Sequence, residues 1–312
     1  MTEAARLEAI AKRLPPVRGR LSYGVSLASV TWFGVGGPAD VVFKPADLAD
    51  LAAFLSGKPD DLPVTVLGVG SNLLVRDGGI RGVVVRLGKS FAEVTVDGDT
   101  VRCGGAALDA NVAKVAQRAG LTGLEFLSGI PGTVGGALVM NAGAYGREIK
   151  DALIKAVVVD PSGFRHFFTA DDLGLSYRHS VIPPEWLVIE AVFQARPGDA
   201  AEIAAAMEAI RSARESSQPL RTRTGGSTFA NPPGHKAWEL VDRAGCRGLT
   251  VGGAMVSEKH CNFLVNVGGA TARDIEALGE EVRRRVLATS GVELNWEIRR
   301  IGEPLAEEET VR

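Results

Sequence analysis

The sequence predicts an α+β fold in two lobes, on three grounds. From residue 39 onward, strand-like and helix-like stretches interleave without an internal repeat. Pro197-Gly198 breaks the chain between a strand-rich stretch and one opened by a long helix. Glycine supplies 38 of 312 residues, about 12% against a usual value near 7%. A chain of 312 residues fits about two domains at roughly 150 residues each, and the main boundary is expected at 196/197. Apolar residues make up 46%, ample for real cores. The glycine excess therefore marks tight turns and close backbone approaches in a folded protein rather than disorder.

The elements follow in order. Residues 1–20 read as a short helix ended by Pro15 and Pro16. VVF at 41–43 is a strand, and Asp47 caps a helix that places Leu48, Leu51 and Leu55 on one face. The stretches 64–70 and 82–87 read as buried strands. A hairpin turns at Asp97-Gly98, and a helix with Leu108, Val112 and Val115 closes at Gly120. Residues 123–146 are the most glycine-dense part and show no regular periodicity. Strands are expected at 153–159, 164–168 and 187–195. Asp199, with Glu202 three residues on, resembles a capping box opening a helix with Ile203, Met207 and Ile210 on one side. A second long helix runs from about Thr271 to Gly291 with Ile275, Leu278, Val282 and Val286 in register. The last element, 292–302, alternates strictly and reads as a strand with Val292, Leu294, Trp296 and Ile298 on one face.

Composition excludes several classes of function. Lys plus Arg number 35 against 37 Asp plus Glu, a net charge of −2, with no basic block, so no nucleic-acid partner is expected. No apolar stretch approaches the ~20 residues of a membrane-spanning helix, so no membrane insertion is expected. The N-terminus, MTEAARLEAIAKRL, lacks the apolar core of a signal peptide. Cys103, Cys246 and Cys261 are odd in number and widely spaced, which suits a reducing compartment. With four histidines no metal site is expected. The cytoplasm is the expected location.

Three features carry chemistry. LGVGSNLL at 67–74 follows a strand, and its small residues let backbone N–H groups converge on a pyrophosphate; alternatively it is a tight strand-to-loop turn. It matches neither a dinucleotide fingerprint, because Leu73 stands where glycine or alanine is needed, nor a Walker A loop. SGIPGTVGGALVMNAGAYG, nearly uncharged, suits a flat apolar ligand such as an isoalloxazine ring, or else dense packing of loop on sheet. Arg178, Ser227 and Glu297 are dispersed polar residues, each with a plain alternative as surface cation, turn residue and polar face of an edge strand. No sequence rule joins these three in space.

At these residues the chain resembles the UDP-N-acetylenolpyruvoylglucosamine reductase (MurB) family. The likeness runs from about Thr31 to Gly302 in ordered motifs: TWFGVGGPAD (31–40), LGVGSNLLV (67–75), GLEFLSGIPGTVGGALVMNAGAYG (123–146), SYRHS (176–180), QPLRTRTGGSTFANP (218–232), VGGAMVSEKHCNFLVN (251–266) and EIRRIG (297–302). It is similar to the shorter branch, which lacks a tyrosine-bearing loop over the substrate. The resemblance implies a vanillyl-alcohol-oxidase/PCMH-type FAD-binding region over 1–196, with lobes of about 21–88 and 89–196. A C-terminal α+β substrate-binding domain over 197–312 follows, its last strand returning toward the flavin.

The resemblance also implies roles. Non-covalent FAD would lie on Gly68, Gly70, Ser71 and Asn72 through its pyrophosphate, and against Pro131, Gly132, Val134, Gly135, Gly136, Asn141 and Gly143 through the rest. NADPH would be the co-substrate and UDP-N-acetylglucosamine enolpyruvate the substrate, reduced to UDP-N-acetylmuramate for peptidoglycan by a monomeric enzyme. Arg178 would hold the substrate carboxylate, Ser227 would donate the proton and Glu297 would assist, either protonated or through Arg178. Gly225 and Gly226 would clear space for stacking. Ala230 departs from the family, which usually has a basic residue there, so a cationic contact would fall to Arg221, Arg223 or Lys236. Met255 is assigned no contact, and His260 and Asn262 either face the uridine-diphosphate side or form a structural turn. The main rivals are another flavin oxidase on the same cofactor fold and a non-enzymatic nucleotide-binding module. Among residues able to bind FAD covalently, no histidine precedes His166, which leaves only Cys103.

Overall fold

The computed structural model describes residues 2–305; the outermost ends of the two expected domains, residue 1 and residues 306–312, lie outside them. The chain forms two compact units. One comprises the chain up to Tyr23, Val41–Gly68 and Gly82–Arg214, and the other Gly24–Asp40, Val69–Arg81 and the chain from Glu215 on. This division is interleaved, unlike the single expected boundary at 196/197. The segments 24–40 and 69–81 belong with the C-terminal residues, and most of the helix after Pro197-Gly198 belongs with the first unit.

Most strand residues of the first unit lie in two sheets. One runs in the order Arg20–Ser26, Pro38–Lys44, Ile80–Val85, Val64–Val66. Helix α1 (Glu3–Ala11) precedes it, and α2 (Leu48–Gly57) starts where the Asp47 carboxylate accepts from the Asp50 N–H at 2.9 Å. Helix α2 buries Leu51, Phe54 and Leu55 in a cluster with Val41, Phe43, Val83 and Val85. The second sheet is five-stranded and antiparallel, in the order Arg165–Thr169, Leu153–Val159, Leu187–Gln194, Thr100–Gly104, Val94–Asp97. Its hairpin pairs Asp97 with Thr100, so the two turn residues are Gly98 and Asp99, one position beyond the expected pair. Gly98 takes φ +59° there, as such turns require. Helices α3 (Asp109–Arg118) and α4 (Val134–Val139) bury Val112, Ala116, Val134 and Leu138 in the core of this sheet.

Two expectations are corrected here. The span 123–146 is not without regular structure: it contains a 3-10 turn at Glu125–Gly129 and helix α4. A six-residue helix reading VGGALV is too short to show a period. The stretch 64–70 is a strand only at Val64–Val66. Helix α5 (Ala200–Ser217) opens at Asp199, whose carboxylate accepts from Ala201 and Glu202 N–H at 2.9 and 3.0 Å, one half of the expected capping box.

The second unit packs α6 (Ala237–Arg243) and α7 (Ala272–Ser290) on a four-stranded sheet ordered Arg223–Ser227, Phe263–Asn266, Ala254–Val256, Thr250–Val251. Ile275, Leu278, Val282 and Val286 are all fully buried. Of the expected strand 292–302, only Arg299–Ile301 joins a ladder, parallel to Leu73–Val75. Leu294 and Ile298 are buried as the alternation implied. Alternation reports which side faces the core, whereas a ladder also needs a partner strand, and that partner begins at Leu73.

Candidate active site

In the first unit the glycine-rich segment around α4 is fixed by backbone bonds. Val134 N–H donates to Ala107 O and Gly135 N–H to Gly105 O, both at 2.9 Å, and Asp109 N–H donates to Gly132 O at 3.2 Å. A side chain at Gly135 would stand 3.1 Å from Gly105 O, so glycine there lets the helix lie against the strand end. Gly136 differs: it is exposed, and a Cβ would meet only Thr133 Oγ1 at 3.6 Å, an ordinary contact. Val134 is buried, and Pro131 and Gly132 are half-buried. A Cβ on Gly68 would lie 2.9 Å from Thr133 Oγ1. Residues of both expected cofactor loops therefore meet at Gly68 and Thr133.

The same unit holds Arg178. Asn141, fully buried at φ +39°, donates from Nδ2 to Ser176 O (2.9 Å) and Glu148 Oε2 (3.0 Å), while its Oδ1 accepts from Lys150 N–H (3.0 Å). Its amide is thus engaged by the protein itself. Gly143 sits where a Cβ would come within 2.7 Å of Arg147 O, in the small hairpin that follows. Ser176 and His179 exchange two backbone bonds of 3.1 Å, and Ser180 Oγ donates to Val139 O at 2.9 Å. Arg178 caps this turn at φ +56°, half-buried, with its guanidinium 4.8 Å from the Tyr177 ring centre. A non-glycine residue held in that region is strained and persists only where the surroundings enforce it. Asn141, through Ser176 O, and Ser180, through Val139 O, tether the two sides of the turn.

The second unit gathers Gly70, Ser71 and Asn72 with Ser227 and Glu297. Gly70 takes φ +67°, and a Cβ there would strike Val30 O at 2.5 Å. Ser71 is half-buried. Asn72 Nδ2 donates to Glu297 O at 3.2 Å, and Asn72 O accepts from Arg299 N–H at 3.1 Å. Glu297 N–H in turn donates to Thr228 O at 2.8 Å, one residue from Ser227. Between Thr224 and Ser227 the strand register shifts, with Gly226 at φ +84°. Such a bulge re-aims the side chain that follows it. Ser227 is half-buried, and its hydroxyl has no hydrogen-bond partner among the described residues.

Other expectations resolve locally. Gly225 makes room for Phe33, whose ring carbon would stand 2.4 Å from a Cβ there, so packing rather than ligand stacking accounts for it. Gly226 has open space around it. Asn262 clamps Phe229 through both backbone groups, at 3.0 and 2.8 Å, so the structural-turn reading of the His260–Asn262 segment holds. A groove of about 1030 Å³ in this unit is bordered by Arg221, Arg223, Lys259, Glu215 and Met255. Lys236 does not border it; it stands at the start of α6. Cys103 is fully buried, its thiol directed at Ala191 O (3.5 Å) and pushed up in pKa by burial, so it offers no open route to covalent flavin attachment.

A family model described as an FAD binding domain matches residues 38–166, and one described as the C-terminal domain of UDP-N-acetylenolpyruvoylglucosamine reductase matches residues 218–301. The chain is 63% identical over 295 residues to the UDP-N-acetylenolpyruvoylglucosamine reductase of Rhodospirillum rubrum, covering 93% of this chain and 92% of that one. The chain belongs to the UDP-N-acetylenolpyruvoylglucosamine reductase family. A second family member, from Parvibaculum lavamentivorans, is 59% identical over 302 residues, with 97% of each chain covered. Among solved structures, the family's reductase from Thermus caldophilus superposes with a TM-score of 0.79 at 37% identity, covering 91% of this chain and 99% of that one. The protein is accordingly an FAD-dependent oxidoreductase with the α+β fold of an FAD-binding region followed by the family's C-terminal domain. The exposed, side-chain-free face at Gly68 and Gly136 fits a cofactor that must approach backbone closely.

Two residues of the first unit escaped sequence reasoning. Arg86 ends an apolar run, VVVR, and Asp109 opens a helix in LDANV. A charge at the edge of a buried stretch was the only available signal.

Proposed function

We propose that this enzyme reduces UDP-N-acetylglucosamine enolpyruvate to UDP-N-acetylmuramate with NADPH, in the cytoplasm, as a step toward peptidoglycan. When bound, FAD would take two electrons from NADPH and deliver hydride to the terminal methylene carbon of the enolpyruvyl group. Negative charge then develops on the adjacent carbon and its carboxylate, and catalysis requires groups aimed at that charge. Arg178, pre-set in its strained turn, would hold the carboxylate through its guanidinium. Ser227 would give its proton to the adjacent carbon, for which an unengaged hydroxyl on a bulge is suited. Glu297 would assist by hydrogen bonding to the carboxylate, either as the protonated acid or through Arg178, because two bare carboxylates repel. The cations Arg221, Arg223 and Lys259 suit the substrate's diphosphate, in place of the basic residue missing at Ala230. Gly68, Gly70, Ser71 and Asn72 would cradle the FAD pyrophosphate, and residues 131–136 would lie along the rest of the cofactor. Asn141 would act as a positioning residue for the Arg178 turn. The enzyme would act as a monomer.

The observation that carries this reading is the link Ser227–Thr228–Glu297–Asn72 within the unit that bears the family's C-terminal domain. The test is an anaerobic two-stage assay on the purified protein and on Ser227→Ala. NADPH should bleach the flavin at similar rates in both, while reoxidation by the enolpyruvyl substrate should slow by at least about 100-fold in the variant. Equal losses in both stages would make Ser227 structural, and no substrate-dependent NADPH consumption by the parent would sink the reductase reading.

A further inference from the structure

One cation of the first unit stands outside the roles assigned so far. Arg86 follows the strand Ile80–Val85, its N–H bonded to Phe43 O at 2.9 Å, and its side chain is half-buried. Among the described residues no ion pair is formed by its guanidinium. Its side-chain hydrogen bond, long at 3.4 Å, goes to the carbonyl of Gly68. Burial without a counter-charge lowers its pKa from the usual arginine range. Desolvating a cation without pairing it is unfavourable, so the position makes physical sense once an anion sits beside it.

The neighbours indicate which anion. Gly68 opens the first glycine loop, and the space a side chain would take there ends 2.9 Å from Thr133 Oγ1, at the cap of α4 in the second. Loop N–H groups form an anion nest but carry only partial charge. A pyrophosphate brings two full negative charges, and a guanidinium matches phosphate oxygens with paired N–H donors. We propose that Arg86 binds the pyrophosphate of FAD, supplying the full positive charge that the neutral glycine loop lacks. The inference rests on the reading of the two glycine-rich loops as the cofactor site.

The test titrates the full-length chain, stripped of flavin, with FAD and separately with riboflavin, following flavin fluorescence. The parent is compared with Arg86→Met, Arg86→Lys and Gly136→Val, and each flavin-free protein is melted. Arg86→Met should weaken FAD binding by about 10- to 100-fold, the loss of one charged hydrogen-bonding partner, and leave riboflavin within about twofold. Arg86→Lys should recover part of the loss. The salt dependence of FAD binding should be shallower in Arg86→Met. Without flavin, Arg86→Met should melt no lower than the parent, because the unpaired desolvated charge is gone. Equal weakening of FAD and riboflavin, or a lower melting temperature without flavin, would make Arg86 a structural prop and overturn the proposal. Unchanged FAD affinity in Arg86→Met with loss of binding in Gly136→Val would overturn the Arg86 role alone. Unchanged affinity in both variants would overturn the loop assignment with it.

Discussion

At Asp109 the chain buries a carboxyl group that no described residue neutralises. The residue is fully buried, neither side-chain oxygen has a hydrogen-bond partner among the described residues, and burial raises its pKa well above the usual carboxylate range. In the unfolded chain it ionises near 3.9, so from that pH upward the folded form binds more protons than the unfolded one. Its contribution to stability is therefore fully present below about pH 4 and is lost as pH rises toward the folded pKa. Asp109→Asn keeps the shape and removes the titration. The variant should gain melting temperature over the parent progressively between about pH 4 and pH 8, and a gap that stays constant across that range would show that Asp109 does not titrate there. In the sequence this residue carries no assigned role. Its backbone N–H bonds the distant Gly132 O, and the burial of both oxygens is a tertiary outcome that no local pattern records.

Helix α7 shows what is legible at the scale of an element and what is not. Its start is written in the sequence: Thr271 and Asp274 form a reciprocal capping box, and Gly291 ends it at φ +70°. Its polar face does work that periodicity does not reveal. Glu276 accepts from Arg76 Nε and Nη2 at 3.0 and 2.9 Å and from Arg300 Nη1 at 3.0 Å. Glu280 accepts from Arg300 and from the Trp296 indole at 2.9 and 2.8 Å. The helix thereby holds Arg300 within, and Arg76 beside, the parallel pair of Leu73–Val75 and Arg299–Ile301, the ladder next to Asn72 and Glu297. Arg76, and then Arg300, hold the Glu276 carboxyl below the usual range against the opposing effect of burial. A lowered folded pKa means that the stabilisation is present above the unfolded value near 4.3 and is lost as pH falls through the folded one. Glu276→Gln should cost about 1–3 kcal/mol at neutral pH, measured by denaturant unfolding, with the cost shrinking in acid. A cost that did not shrink would assign the effect to packing rather than to charge. The strand it supports was expected to be eleven residues long and pairs over three, because alternation is local and pairing is not.

For the whole molecule, we propose that the cofactor is retained without a covalent bond. His166 lies in an edge strand, bonded to Asp160 at 2.8 Å, and the Cys103 thiol is enclosed in the core of the five-stranded sheet. Acid precipitation should release all yellow colour to the supernatant, and colour left in the pellet would overturn non-covalent binding. The division into units also belongs to this scale. Segments 24–40 and 69–81 fold with residues more than a hundred positions away, whereas composition places a boundary only where the chain itself changes character.

The sequence alone determined most element types, the helix ends at Asp47, Asp199 and Gly291, most buried faces and, through ordered motifs, the family. These are local properties, set by side-chain period, backbone freedom at glycine and capping chemistry within a few residues. Tertiary structure decided which dispersed residues become neighbours: Asn141 with the turn of Arg178, Asn72 with Glu297 and the bulge at Ser227, and Gly68 with Thr133 and Arg86. It also gave the glycine excess separate physical meanings. Gly70, Gly135 and Gly225 are small so that the protein can pack on itself, Gly136 leaves exposed bare backbone, and Gly68 does both, exposed yet close to Thr133 Oγ1. That distinction depends on which atoms lie within a few ångströms, and proximity between distant segments exists only once the chain has folded.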